Sequence, residues 1–146
     1  MDDLLPSELT FVVVPGNPYD TTVDDLSPLL DELNAEGRAE VRIRPERGYG
    51  VTFIEVVIIY IAMKVLDATV DRIIERTLDK AEAAGTQWWK RRRLEKARRP
   101  ATVLICDEDG NVLRSIEYRP EDEPTRADVK QAAKRLPMPP PEDQKP

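Results

Sequence analysis

Histidine is absent from this sequence, and cysteine occurs once, at Cys106. Histidine is the commonest general base and a common metal ligand, so its absence argues against most catalytic and metal centres. A single cysteine excludes an intrachain disulfide framework and is typical of a reducing compartment. Because Cys106 ends an apolar run, we interpret it as a buried structural thiol. We therefore predict no catalytic residue, no metal ligand and no cofactor.

The sequence also has little that would direct it to or through a membrane. The first nine residues, MDDLLPSEL, lack the basic and long apolar segments of a signal peptide. The main apolar run, Phe53 to Leu66, contains Glu55 and Lys64. It is shorter than the roughly 20 apolar residues that a membrane span needs. We expect a cytoplasmic protein, with membrane insertion less favoured than a buried core element.

Positive charge is scarce outside one tract. The chain carries a net charge of −6, but Lys90 to Arg99 holds seven basic residues and one acidic residue. Two tryptophans precede this tract, so bases could stack on the rings while arginines neutralise phosphates, or the tract could lie on anionic lipids. The favoured interpretation has the tryptophans closing the core and the basic residues pairing with acidic residues of this chain or a partner. The residues of this candidate surface are Trp88, Trp89, Lys90, Arg91, Arg92, Arg93, Lys96, Arg98 and Arg99.

The 146 residues suit one domain. We predict a single α+β domain over residues 1–136, with its core at about 8–118. Residues 137–146 contain five prolines and no apolar periodicity, which predicts a disordered or extended tail.

Strand patterns occur near both ends of this domain. Glu8–Val14 is rich in β-formers and stops at a Pro-Gly-Asn-Pro turn. Ala39–Arg44 alternates apolar and charged residues, as a strand with one solvated side does. Ala101–Cys106 and Val112–Tyr118 flank the turn Asp107–Asn111 and predict a hairpin.

Two short helices are also predicted. Leucines at helical spacing indicate one that starts at Ser27, with Pro28 at its first position and a looser turn before it, and ends at Gly37. Thr125 to Leu136 has capping spacing and a thin apolar face, which favours a second short helix.

The stretch from Thr52 to Ala84 is predicted to organise the fold. Thr52 and Glu55 have the spacing of a capping box, which favours a helix start. The half up to Leu66 is apolar on all sides and indicates a core helix, although its β-branched residues leave a strand as the alternative. The second half is amphipathic, and Gly85 is predicted to end it before a new helix. Such a helix would be about 50 Å long, so part of its stripe is expected to meet another chain. The predicted interface residues are Leu66, Val70, Ile73, Ile74, Leu78 and Ala81.

The predicted element order is therefore β-α-β-long α-β-β-α, which gives an α+β fold with a small mixed sheet. The first two strands are expected to be parallel.

Two loops have weaker ligand patterns. Arg47–Gly50 precedes the long helix and would suit an anion, but it lacks a complete phosphate-binding motif. Asp107–Asp109 lacks the spacing of a calcium loop and is better interpreted as a hairpin turn.

The order of these elements resembles the effector-associated constant component domains of bacterial conflict systems. The resemblance runs from Glu8 to Tyr118 and includes LTFVVV, EVRIR, the glycine-containing loop, WWKRRR and TVLICDEDGNVLRSIEY. It implies a non-catalytic adaptor that connects a sensor or effector to its partners.

We therefore predict a non-enzymatic adaptor that assembles as a homo-oligomer or with a protein partner through its long helix. The alternatives are nucleic-acid binding or peripheral membrane association through residues 88–99. An enzyme is the least favoured class, because these residues supply no combination of nucleophile, base and orienting group.

Overall fold

The computed structural model describes residues 9–16, 21–43, 55–63, 70–96, 100–120, 123–126 and 137–139; for 63, 70–74 and 92–96 it describes the backbone alone. In these parts of the chain the helices are α1 (Val23–Asn34) and α2 (Val70–Lys96). The strands are β1 (Leu9–Pro15), β2 (Arg38–Val41), β3 (Glu55–Met63), β4 (Ala101–Cys106), β5 (Val112–Tyr118) and β6 (Thr125–Arg126).

The strands form one mixed sheet in the order β2-β1-β3-β4-β5-β6. β1 pairs with β2 in parallel and with β3 in antiparallel orientation, while β3 and β4 are parallel. The units β1-α1-β2 and β3-α2-β4 thus repeat one β-α-β arrangement, side by side and in opposite directions. β5 and β6 extend the sheet by antiparallel pairing. This confirms the α+β class, the mixed sheet, the parallel first two strands and the terminal hairpin.

The predicted helix from Thr52 to Leu66 is wrong, because Glu55–Met63 is the central strand β3. Its run of valines and isoleucines suits a strand that is covered on both faces, where hydrophobic residues are continuous rather than alternating. Glu55 does not cap a helix: its backbone N–H donates to the Pro100 carbonyl at 3.0 Å. Its buried carboxylate accepts a hydrogen bond from the Thr21 hydroxyl. Thr52 itself lies outside the described residues.

The predicted helix end at Gly85 is also wrong, because α2 continues through this residue to Lys96. Gly85 lies where α2 approaches the sheet closely. A Cβ at this position would come 3.1 Å from the Tyr118 hydroxyl and 3.7 Å from Val103. The glycine is therefore explained by close helix-to-sheet packing, which overrides its low helix propensity.

α1 begins four residues earlier than the predicted start at Ser27. Thr22 accepts a hydrogen bond from the Asp25 backbone, and the Asp25 carboxylate accepts one from the Thr22 backbone, which completes a capping box. Pro28 then lies inside the helix rather than at its first position. Proline cannot donate to the carbonyl four residues earlier, but that residue, Asp24, is exposed, so water can replace the missing bond.

Both helices pack on one face of the sheet and form the larger core with it. The opposite face carries a second apolar cluster, which we call the second-face cluster. Its buried members are Val12, Val14, Ile58, Tyr60, Leu104 and Cys106.

The region predicted as a helix from Thr125 to Leu136 begins as a strand. Thr125–Arg126 is strand β6, which pairs with Ile116 and Glu117 of β5. The rest of the predicted helix lies outside the described residues.

Candidate interaction surfaces

Part of the predicted helix interface belongs to the chain's own core. Leu78 and Ala81 are buried against the sheet in the larger core. Val70, Ile73 and Ile74 lie in the first turns of α2, where the structure describes the backbone alone, and Leu66 lies outside the described residues. Only the start of α2 is therefore left as a candidate interface.

α2 is longer than the sheet that it covers. Its 27 residues span about 40 Å, whereas a six- or seven-residue strand spans about 20 to 24 Å. The buried residues among its described side chains run from Thr77 to Trp89, a distance of about 18 Å at 1.5 Å per residue. The helix is therefore longer than the strands β4 and β5 on which it packs.

The tryptophans of the candidate basic surface are core residues. Trp88 and Trp89 are 1% and 2% exposed. The Trp88 indole N–H donates to the Asp25 carbonyl of α1 at 3.0 Å, and the Trp89 ring stacks on Tyr118 with ring centroids 5.4 Å apart. These rings tie α2 to α1 and to the sheet, so they are not placed to stack on bases.

The cationic part of the same surface extends along the last turns of α2. Lys90 and Arg91 are exposed, and Arg91 contacts Glu32 of α1 at 3.1 Å. Cations at a helix C-terminus interact favourably with the helix dipole, which is a structural reason for the tract. Arg92, Arg93 and Lys96 lie in the helix with only their backbone described, and Arg98 and Arg99 lie outside the described residues.

An arginine buried between α2 and the sheet was not identified from the sequence. Arg114 of β5 contacts Asp79 at 2.9 Å, Glu82 at 2.8 Å and Glu75 at 3.7 Å, all three on one face of α2. Arg126 of β6 contacts Glu82 at 3.0 Å. This ionic cluster fastens the β5–β6 edge to α2. The sequence does contain a signal for it, since Arg114 alternates with Ile116 and Tyr118 on the core-facing side of the strand.

Burial raises the pKa of Tyr118 to about 12, although its hydrogen bond with Thr86 lowers it. Tyr118 ionises at a pKa of about 10 in the unfolded chain. Its contribution to the free energy of unfolding should therefore be constant well below pH 10 and should fall as the pH rises from 10 to 12. The loss attributable to Tyr118 should be about 1 kcal/mol by pH 11 and about 2 to 3 kcal/mol at pH 12. Urea unfolding at pH 9 and 11 measures it. Tyr118→Phe is the control and should lose less stability over this interval; equal losses would contradict the assignment.

The acidic hairpin loop is organised by Asp107. Its carboxylate accepts hydrogen bonds from the backbone N–H groups of Asp109 and Asn111, both at 2.9 Å, and from the Asn111 side-chain amide at 3.0 Å. Gly110 has a φ of 93°, which favours glycine. These bonds explain the loop as a turn. In the described segments, no group of three or more acidic or cysteine side chains is placed to hold a metal ion.

Residues 137–139 contact the second face of the sheet. Met138 packs against the second-face cluster, and its backbone N–H donates to the Glu108 carbonyl at 3.0 Å. Arg42 donates to the Pro139 carbonyl at 2.7 Å. The sequence contains no periodic signal for this contact, because a single methionine between prolines forms no pattern.

Comparisons with known proteins give no relative for this chain. No family model, no curated protein and no solved structure matches it. Within the residues that the structure describes, no helix has the length and apolar character needed to cross a membrane. The functional proposals below therefore depend on the geometry of this chain alone.

Proposed function

We propose that this protein is a non-catalytic interaction module that assembles through the start of α2. The observation that supports the proposal is the length of α2, about 40 Å, against about 20 to 24 Å for the strands β4 and β5 on which it packs. Ile74 and Val70 continue the buried stripe of Leu78 and Ala81 at helical spacing. An apolar stripe of this length on one helix is a surface suited to another helix.

Three described side chains of types used in catalysis have structural roles that agree with this proposal. Cys106 is fully buried in the second-face cluster, and Asp107 binds the amides of its own loop. Arg114 binds the carboxylates of α2. An adaptor role, including a place in a bacterial conflict or signalling system, fits a domain whose distinctive feature is a long helix.

Val70→Asp tests the interface. Val70 is the first residue of α2, where a carboxylate is favourable to the helix dipole, so the substitution should preserve the helix while it places charge in the apolar contact. We expect sedimentation velocity to show assembly weakened at least tenfold, and the same for Ile73→Asp. Ala83→Asp adds the same charge to an exposed position of α2 and should assemble normally. Unchanged assembly in both interface variants would refute the proposal.

The basic surface is a second candidate, because Lys90 and Arg91 are exposed at the end of α2. It would bind nucleic acid or anionic lipid through charge alone, since both tryptophans are buried. Binding of this kind weakens steeply with salt. Membrane association was also predicted to use an apolar helix, but most of that apolar run is strand β3.

A further inference from the structure

The second face of the sheet is buried although both described helices lie on the opposite face. Tyr60, Val12 and Cys106 in its cluster are 0% exposed. Among the described residues, the segment that packs against this cluster from outside the sheet is Pro137–Pro139, with Met138 as its apolar side chain. Pro139 is itself buried. This contact therefore contributes to the burial of the second face.

The polar groups of this segment are matched to the surface beneath it. Proline has no backbone N–H, so Met138 carries the only backbone donor of the Pro-Met-Pro sequence. That donor is paired with the Glu108 carbonyl at 3.0 Å. The Pro139 carbonyl accepts from Arg42, whose guanidinium also binds the Glu40 carboxylate. Proline suits the buried position 139, because it adds no backbone donor there.

We propose that the second face is a binding site for an extended Pro-Met-Pro segment, and that the chain's own residues 137–139 occupy it as an exchangeable strap. Three separate elements form the site: the second-face cluster, the hairpin loop at Glu108 and Arg42 after β2. Because the segment belongs to the same chain as the site, its effective concentration there is on the order of millimolar. The strap thus keeps the site closed, and weakening it opens the site to the same segment supplied separately.

Cys106 reports whether the strap is closed, because it is the chain's single cysteine and belongs to the cluster that Met138 covers. The rate of its reaction with 5,5′-dithiobis(2-nitrobenzoic acid) is measured in the 146-residue chain. We expect Met138→Glu to react at least about tenfold faster than the unaltered protein. Arg42→Gln, which removes the bond to Pro139, should react several times faster. Val23→Glu adds the same charge at an exposed apolar position and should leave the rate unchanged.

A peptide with the sequence of residues 134–146 tests whether the site accepts the segment in trans. At millimolar concentration it should slow the labelling of Met138→Glu at least threefold. The same peptide with glutamate in place of methionine should have no effect. This peptide experiment distinguishes a binding site that accepts the segment in trans from a segment that only covers the core.

Three results would overturn the proposal. The first is a labelling rate in folded Met138→Glu and Arg42→Gln equal to that of the unaltered chain. The second is a faster labelling rate that is fully explained by the variant's lower global stability, as measured by urea unfolding. The third is a peptide that gives no protection at millimolar concentration. Val70→Asp should not change Cys106 labelling, so this proposal and the proposed α2 interface can fail independently.

Discussion

Trp88→Ala should destabilise the protein by about 3 to 5 kcal/mol, the usual cost of deleting a large buried aromatic side chain. Trp88 is 1% exposed, packs in the larger core and donates from its indole to the Asp25 carbonyl. Its removal leaves a cavity where α2, α1 and the sheet meet. Urea unfolding followed by far-ultraviolet circular dichroism measures the change.

Two matched variants sharpen this experiment. Trp88→Phe keeps an aromatic ring but loses the indole donor, so it should cost less than Trp88→Ala. Lys90→Ala removes an exposed side chain from the same helix and should change stability by less than about 0.5 kcal/mol. A surface ring used for base stacking would give the opposite pattern: normal stability in Trp88→Ala with weaker binding to single-stranded nucleic acid. A loss below about 1 kcal/mol would contradict the core placement.

Ile59→Asp should abolish folding. Ile59 is 0% exposed in the central strand, paired with Val13 of β1 and Ile105 of β4. The substitution removes about 2 to 3 kcal/mol of apolar burial and adds a carboxyl group with no described partner at its position. Together with the cavity, this equals much of the 5 to 15 kcal/mol by which a domain is stable. Circular dichroism and the yield of soluble protein are the measurements.

The control for Ile59→Asp is Val23→Asp. Val23 is 52% exposed at the start of α1, so the same type of change should be tolerated there. Cooperative unfolding of Ile59→Asp near the urea midpoint of the unaltered protein would show that this position is not enclosed by the sheet.

The terminal hairpin could be predicted from the sequence because its evidence is local. Ala101–Cys106 and Val112–Tyr118 are flanked by turn residues and observed with the predicted bounds. The run Glu55–Met63 could not be assigned in this way, since a helix or a strand enclosed on all sides has the same continuous apolar pattern. Its β-branched residues and its partners β1 and β4 decide the question, and pairing between strands distant in sequence is not a local property.

Contacts between elements also could not be predicted from local sequence patterns. The capping box of Thr22 and Asp25 was present in the sequence, but Pro28 led to a later predicted helix start. Gly85 has the sequence signature of a helix end, and only the approach of Tyr118 explains its place inside α2. Met138 could not be linked to the second face, because no periodicity connects the tail with the sheet.

The mass of the unaltered 146-residue chain in solution shows whether α2 joins two copies of the protein. Size-exclusion chromatography with light scattering, at low and high salt and without detergent, gives it. We expect a dimer or larger species that persists at high salt, because contact through an apolar stripe at the start of α2 is not screened by ions. A monomer under all conditions would contradict self-assembly through α2. Assembly confined to low salt would instead indicate the basic tract as the contact.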